Sequence, residues 1–160
     1  MIVYRVAQRK RAKDLSGRGA FLVGGRWTPK GVYALYAARN ASLAAWEVFV
    51  HQVGSEEWPV DYCLVQIQLP DKRSYYQTIR KAQLPKDWDA LPYSAEIQNL
   101  GRIWFQRRNK LGVFVPSAVM KGEQNVILNP QYPRFKSVVK VLVVESFQYD
   151  ARIKEGVLWK

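Results

Sequence analysis

Val-Tyr-Ala-Leu-Tyr-Ala-Ala (residues 32–38), then Arg39-Asn40-Ala41, then Ser-Leu-Ala-Ala-Trp-Glu-Val-Phe-Val (residues 42–50) set a strand directly before a helix. The first run is short, apolar and aromatic, as a strand requires. Asn40 is of the type that caps a helix N-terminus through its side-chain oxygen. Leu43, Trp46, Val50 and Val53 then recur at helical spacing and read as one inward stripe. Glu47 follows Leu43 by four residues, so it lies at the edge of that stripe and not opposite it. It is also the only acid between Asp14 and Glu56. A charge brought near a core costs several kcal/mol unless it is paired or hydrogen-bonded. Two readings stay open here: a structural pair with a neighbouring arginine or with His51 one turn on, or a working carboxylate.

Outward from this stretch, strands are expected over residues 2–7, 62–69 (ending at Pro70), 111–115, 125–128 and 138–147. A second helix is expected over 94–108, with Ser94 as cap and Ile97, Leu100 and Trp104 facing inward. Residues 9–31, with Gly17, Gly19, Gly24, Gly25 and Gly31, read as a loop-rich segment. No repeat, linker or low-complexity stretch interrupts the chain. The expectation is one α+β domain over residues 1–160.

Composition narrows the function classes. The chain has 160 residues, 48% hydrophobic and 13% aromatic, enough for a real core and too apolar for disorder. No apolar run approaches the roughly 18 residues needed to span a bilayer. Arg9-Lys10-Arg11 follows the N-terminus without the apolar run and cleavage site of a signal peptide, so a cytoplasmic protein without a membrane partner is expected. Cys63 is the lone cysteine, which forbids an intrachain disulfide, and one Cys with one His leaves no Cys/His zinc site. No Asp/Glu cluster suggests a carboxylate site, so neither metal nor cofactor is expected.

The net charge of +12 gathers in residues 5–13, 72–81 and 102–110. Such an excess attracts a polyanion, an acidic partner or an anionic substrate, or is simply a solvated surface. RNP-like aromatic platforms and a Gly-rich clamp between helices are both missing, so direct nucleic-acid binding is not expected.

Three segments could carry chemistry. Gly24-Gly25-Arg26-Trp27 sets a guanidinium, suited to bidentate phosphate binding, after two glycines, although it lacks the spacing of a dinucleotide fingerprint or a P-loop. In Val115-Pro116-Ser117 the proline marks a strand end. Ser117 lacks a G-x-S-x-G elbow and reads as a hydrogen-bonding serine and not a nucleophile. Asn125 opens the run that closes on the turn signal Asn129-Pro130.

Taken in order, Tyr4-Arg5-Val6, Gly17-x-Gly19-Ala20, Gly24-Gly25-Arg26-Trp27-x-x-x-Gly31, Tyr36-Ala37, Ala44-x-x-Glu47, Leu84-Pro85-x-x-Trp88, Gly101-x-x-Trp104, Val115-Pro116-Ser117-Ala118, Asn125-Val126-x-Leu128-Asn129-Pro130 and Asp150-x-Arg152 resemble the RES domain family. That family is named for an arginine, a glutamate and a serine, matched here by Arg26, Glu47 and Ser117. Two positions depart from its pattern. Asn129-Pro130-Gln131-Tyr132-Pro133 has Tyr132 where the family usually has histidine, and Thr28 stands where asparagine often follows the Arg-Trp pair.

The resemblance implies a single compact α+β domain with ADP-ribosyltransferase-like mixed sheets and flanking helices. It implies the toxin of a bacterial toxin–antitoxin pair that degrades NAD at the nicotinamide–ribose bond, by hydrolysis or phosphorolysis. The alternative is transfer of ADP-ribose to a cellular protein; a basic nucleic-acid-binding module ranks behind both. NAD is then the substrate, the partner is a DNA-binding antitoxin of the Xre type, and a homodimer within the toxin–antitoxin complex is compatible with the pattern.

The residue types suit that chemistry. Cleavage of an N-glycosidic bond passes through an oxocarbenium-like ribose and calls for an anion nearby. Glu47 is the candidate to bind ribose hydroxyls, stabilise the cation and orient water or phosphate. Arg26 is the candidate pyrophosphate clamp, Tyr36 a ring for nicotinamide or ribose to stack on, and Ser117 a hydrogen-bonding group for the nicotinamide ribose or amide. Trp27 and Asn125 are further pocket candidates, with core packing and backbone bonding as their alternatives.

Overall fold

Strict alternation in β3 (Tyr62–Gln68) sends Cys63, Val65 and Ile67, each 0% exposed, into the core while its other side chains stay part-exposed or exposed. β3 is central to one half of a seven-stranded mixed sheet. The computed structural model describes residues 1–52 and 60–156, with the side chains of 154–156 outside the description. β1 (Ile2–Gln8), β2 (Leu35–Ala38), β4 (Tyr76–Thr78), β5 (Gly112–Pro116), β6 (Gln124–Leu128) and β7 (Lys140–Phe147) complete the sheet in the order β4-β5-β6-β2-β1-β3-β7. Among the described residues only the β4–β5 pair is parallel. Five α-helices among the described residues accompany the sheet: α1 (Arg18–Val23), α2 (Ala41–Gln52), α3 (Ala95–Gln106), α4 (Phe135–Val138) and α5 (Ala151–Gly156). No helix among the described residues is long and apolar enough to cross a membrane.

The junction between β1 and β2 positions the site. β1 runs antiparallel to β3 in register from Ile2–Gln68 to Gln8–Tyr62, and β2 pairs with β6 from Leu35–Leu128 to Ala38–Asn125. Between β1 and β2, however, only Tyr4 and Ala38 are in register. The sheet therefore parts along the rest of this seam. In β5 and β6 the alternation serves two separate cores. Phe114, Val126 and Leu128 join Val3, Val65 and Ile67. Val113, Val115 and Ile127 join Trp27, Trp88 and the inward face of α3.

α2 begins as expected, with Asn40 Oδ1 accepting the Leu43 amide at 2.7 Å. Its inward stripe differs from the expected one. Leu43 and Ala44 pack against Val6 and Ala38, and these small contacts bring the helix axis close to the sheet. The inward line thus continues toward Glu47 and Val48. Trp46 (44% exposed) and Val50 (39%) fall to the flanks, and Val53 lies outside the described residues. In α3, Ser94 occupies the cap position without a side-chain hydrogen bond. Ile97 and Trp104 face inward as expected, joined by Phe105, but Leu100 is 44% exposed. Gly101 takes the inward place, its Cα abutting the Trp27 carbonyl, so the neighbouring Leu100 turns out.

Other boundaries moved too. The expected strand at 32–38 starts only at Leu35, and Val138 ends α4 before β7 starts at Lys140. The glycine-rich segment contains α1, and the short β4 carries no alternation long enough to announce it.

Candidate active site

The N-terminal part of the site is a tight turn pinned from below. α1 ends at Gly24, whose φ of 75° is a left-handed value that favours glycine. Gly25 N–H then donates to the Thr28 carbonyl at 2.7 Å. Tyr36 on β2 reaches up under this turn: its Oη accepts the Trp27 amide at 3.2 Å and shares a 3.0 Å hydrogen bond with Thr28 Oγ1. A Cβ on Gly25 would lie 2.8 Å from Tyr36 Oη, so Gly25 is the residue that permits this approach. Burial pushes the Tyr36 phenol up to about 12, which keeps it neutral and hydrogen-bonding at ordinary pH.

The turn presents Arg26. One guanidinium nitrogen, Nη1, donates to the carbonyls of Trp88 (3.0 Å) and Ala90 (2.9 Å), and the group sits 5.0 Å from the Tyr93 ring centroid. Nε and Nη2 carry no hydrogen bond among the described residues and remain as donors for a ligand.

A second wall presents Glu47 from α2. Its Oε1 accepts from Ser117 Oγ at 2.7 Å and from Asn125 Nδ2. Oε2 accepts nothing from the described residues. Glu47 makes no ion pair among them either, with an arginine or with His51, so the structural-pair reading falls away. Asn125, on β6 in register with Ala38, is 9% exposed, and its Oδ1 is a buried acceptor without a partner among the described residues.

Both walls bound one cavity of about 800 Å³, within the range of ligand pockets, where β1 and β2 part. Arg26, Tyr36, Glu47 and Asn125 all line it, together with Tyr4, His51, Asp89, Leu91 and Tyr93. Trp27 borders it but is 5% exposed and packs on Trp88 with ring centroids 5.9 Å apart. It therefore serves the core first, and its amide, bonded to Tyr36, fixes the Arg26 turn.

Ser117 differs from its expected role. It is 3% exposed and does not line the cavity. Its hydroxyl donates to Glu47 and accepts the amides of Val119 (3.1 Å) and Met120 (3.0 Å). One donor and two acceptors are the whole capacity of a serine hydroxyl, so nothing remains for a ligand. Ser117 acts by holding Glu47.

The departures from the family pattern are accommodated locally. Thr28, 0% exposed, bonds Tyr36. Tyr132 packs on Tyr75, ring centroids 6.2 Å apart, away from the cavity wall. The exposed basic clusters at residues 72–81 and 102–110 also lie off that wall. No group of three or more His, Cys, Asp or Glu able to hold a metal ion occurs among the described residues.

Sequence reading missed Tyr4, His51, Asp89, Leu91 and Tyr93 as cavity residues. Tyr4 stands in the series that resembles the family and His51 lies one helical turn beyond Glu47, whereas Asp89, Leu91 and Tyr93 carried no signal.

Comparison with known proteins bears on this geometry. The profile of the RES domain matches residues 2–151. A protein of Photorhabdus laumondii named Toxin Res is 38% identical over 154 residues, 96% of this chain and 97% of that protein. A Sphingobium protein named Prs ADP-ribosylating toxin is 35% identical over 148 residues, 92% of this chain and 91% of its own length. Among solved structures, the M. tuberculosis MbcT–MbcA toxin–antitoxin complex contains a chain of similar fold, with a TM-score of 0.73 at 20% identity, covering 98% of this chain and 87% of that one.

Proposed function

The chain belongs to the RES domain family, and on that premise we propose that it is a toxin of a toxin–antitoxin pair that consumes NAD by cleaving the nicotinamide–ribose bond. The observation that carries this reading is the convergence of Arg26 and Glu47 on one cavity large enough for a dinucleotide. In this reading Arg26 takes the pyrophosphate through Nε and Nη2, with its third nitrogen fixed by the Trp88 and Ala90 carbonyls. Glu47 Oε2 faces the nicotinamide ribose.

The bond between ribose C1′ and the pyridinium nitrogen breaks with its electron pair going to the ring, which leaves as neutral nicotinamide. The positive charge that develops on the ribose is stabilised by Glu47, whose orientation Ser117 and Asn125 set in advance. Water or inorganic phosphate then forms the new bond to C1′; water loses a proton in doing so. No metal or cofactor enters this scheme.

The relative named as an ADP-ribosylating toxin favours a second reading, in which a protein side chain is the acceptor at the same site. Purified chain incubated with NAD, with and without phosphate, separates hydrolysis from phosphorolysis by product chromatography. Labelled NAD added to a lysate separates both from protein modification. Absence of nicotinamide release under every condition overturns the reading.

The partner in this proposal is an antitoxin of the helix-turn-helix Xre type with an acidic or carboxylate-terminated contact surface. One dinucleotide engages only one or two cations, so most of the +12 charge is available to such a surface. Binding should weaken as salt rises, and salt-independent binding would remove the electrostatic account.

A further inference from the structure

We propose that Asp89 makes the site selective for NAD over NADP by meeting the ribose of the adenosine half; the inference rests on the NAD-consuming reading above. The segment that carries Asp89 is fixed beside the candidate phosphate clamp. The two carbonyls that hold Arg26 Nη1 belong to Trp88 and Ala90, the residues on either side of Asp89. Glu47 is held elsewhere, by Ser117 and Asn125. With the nicotinamide ribose at Glu47 and the pyrophosphate at Arg26, the adenosine half would extend beyond Arg26, where the Trp88–Ala90 anchor and the Tyr93 ring gather about the guanidinium and Asp89, Leu91 and Tyr93 line the cavity.

Asp89 is suited to read that ribose. It is an exposed residue of the cavity lining, and among the described residues it accepts no hydrogen bond and forms no ion pair, although a guanidinium is bound to its neighbours. An ionised carboxylate is an acceptor only, so it complements the donors of a vicinal diol. The 2′-phosphate of NADP replaces one of those donors with a group of about −1.5 to −2 charge. Like charges set against each other in a binding site strongly disfavour the wrong ligand. Leu91, 76% exposed, adds an apolar side chain beside the same segment against which adenine can lie.

The test measures nicotinamide release from NAD and from NADP, as kcat/KM, for the wild-type chain, Asp89→Asn and Asp87→Asn. Asp87 is an exposed acid two residues away that does not line the cavity, so its variant controls for net charge. The wild type should prefer NAD by at least about tenfold, and Asp89→Asn should narrow that preference by about tenfold, while Asp87→Asn keeps the wild-type ratio. Equal use of both dinucleotides by the wild type, an unchanged ratio in Asp89→Asn, or an equal shift in Asp87→Asn would each overturn the role of Asp89 and leave the NAD-consuming reading intact. No release from NAD by the wild type removes that reading, and this inference with it.

Discussion

Ser117 Oγ donates to Glu47 Oε1 at 2.7 Å across 70 residues of sequence, joining the end of β5 to the middle of α2. The bond fixes which carboxylate oxygen is occupied and which is left open. Asn125 Nδ2 donates to the same oxygen. Two donors on one oxygen hold the carboxylate in place and share its charge, so in the proposed reaction the other oxygen would be presented without cost of reorganisation.

Replacement of Ser117 by Ala removes one of these donors and leaves the amides of Val119 and Met120 without their acceptor. Because the hydroxyl has no capacity left for a ligand, the loss should fall on kcat, by roughly 10- to 100-fold, with KM for NAD close to wild type. Steady-state nicotinamide release measures both. A rise in KM with unchanged kcat would mean that the serine touches the dinucleotide directly.

Glu47→Gln preserves the shape of the side chain and an acceptor for Ser117, and removes the charge. The fold should persist, with a melting temperature within about 3 °C of wild type, since the carboxylate makes no ion pair among the described residues. Nicotinamide release should fall by at least about 1,000-fold, as expected when the charge that meets the transition state is lost. Normal turnover by this variant would exclude Glu47 from the reaction.

The same site shows where sequence reading works and where it stops. Glu47 was legible because a lone acid at the edge of an apolar stripe needs a reason, and Asn40 was legible because capping chemistry is local. The inward face of α2 was misread at Trp46 because periodicity cannot tell a large apolar residue on the flank from one in the core. Packing decided that, through the small contacts of Leu43 and Ala44 with Val6 and Ala38. Arg26, Glu47 and Ser117 were recognisable as a series through resemblance alone. That Ser117 serves Glu47 and that Asp89 flanks the Arg26 anchor are tertiary facts. The hydrogen bonds that establish them join residues 62 to 70 positions apart, and no local pattern encodes such pairs.

Gly101 offers a test of packing. In an exposed helix Gly→Ala gains about 1 kcal/mol of stability through propensity. Here a Cβ would lie 1.6 Å from the Trp27 carbonyl oxygen, a backbone atom that cannot swing aside. Gly101→Ala should therefore destabilise by about 3 kcal/mol or more, lowering the melting temperature by roughly 6–12 °C. Activity should fall with it, since a shift of Trp27 displaces the adjoining Arg26 turn. A neutral or stabilised variant would show that α3 and the Trp27 turn are less closely packed than the structure shows.

Tyr36 links the site to alkaline stability. Its phenol is raised from 10.0 to about 12, chiefly because burial penalises the phenolate. A group whose folded-state value is raised lends stability that is complete below its unfolded value and is lost as pH climbs through the folded one. Below about pH 10 both states keep the proton. Between about 10 and 12 the unfolded chain gives it up first, so stability falls, by up to about 1.4 kcal/mol per pH unit for this residue. Tyr149, also raised to about 12 by burial, acts in the same window, and Tyr76 is raised as well. Tyr36→Phe removes one of these protons together with the hydrogen bonds to Trp27 and Thr28. The variant should be less stable than wild type at pH 8, by about 1–2 kcal/mol, and the gap should close as pH rises toward 12. Urea midpoints across that range measure it: a gap that stays constant from pH 8 to 12 would mean that Tyr36 loses its proton at the same pH whether the chain is folded or not.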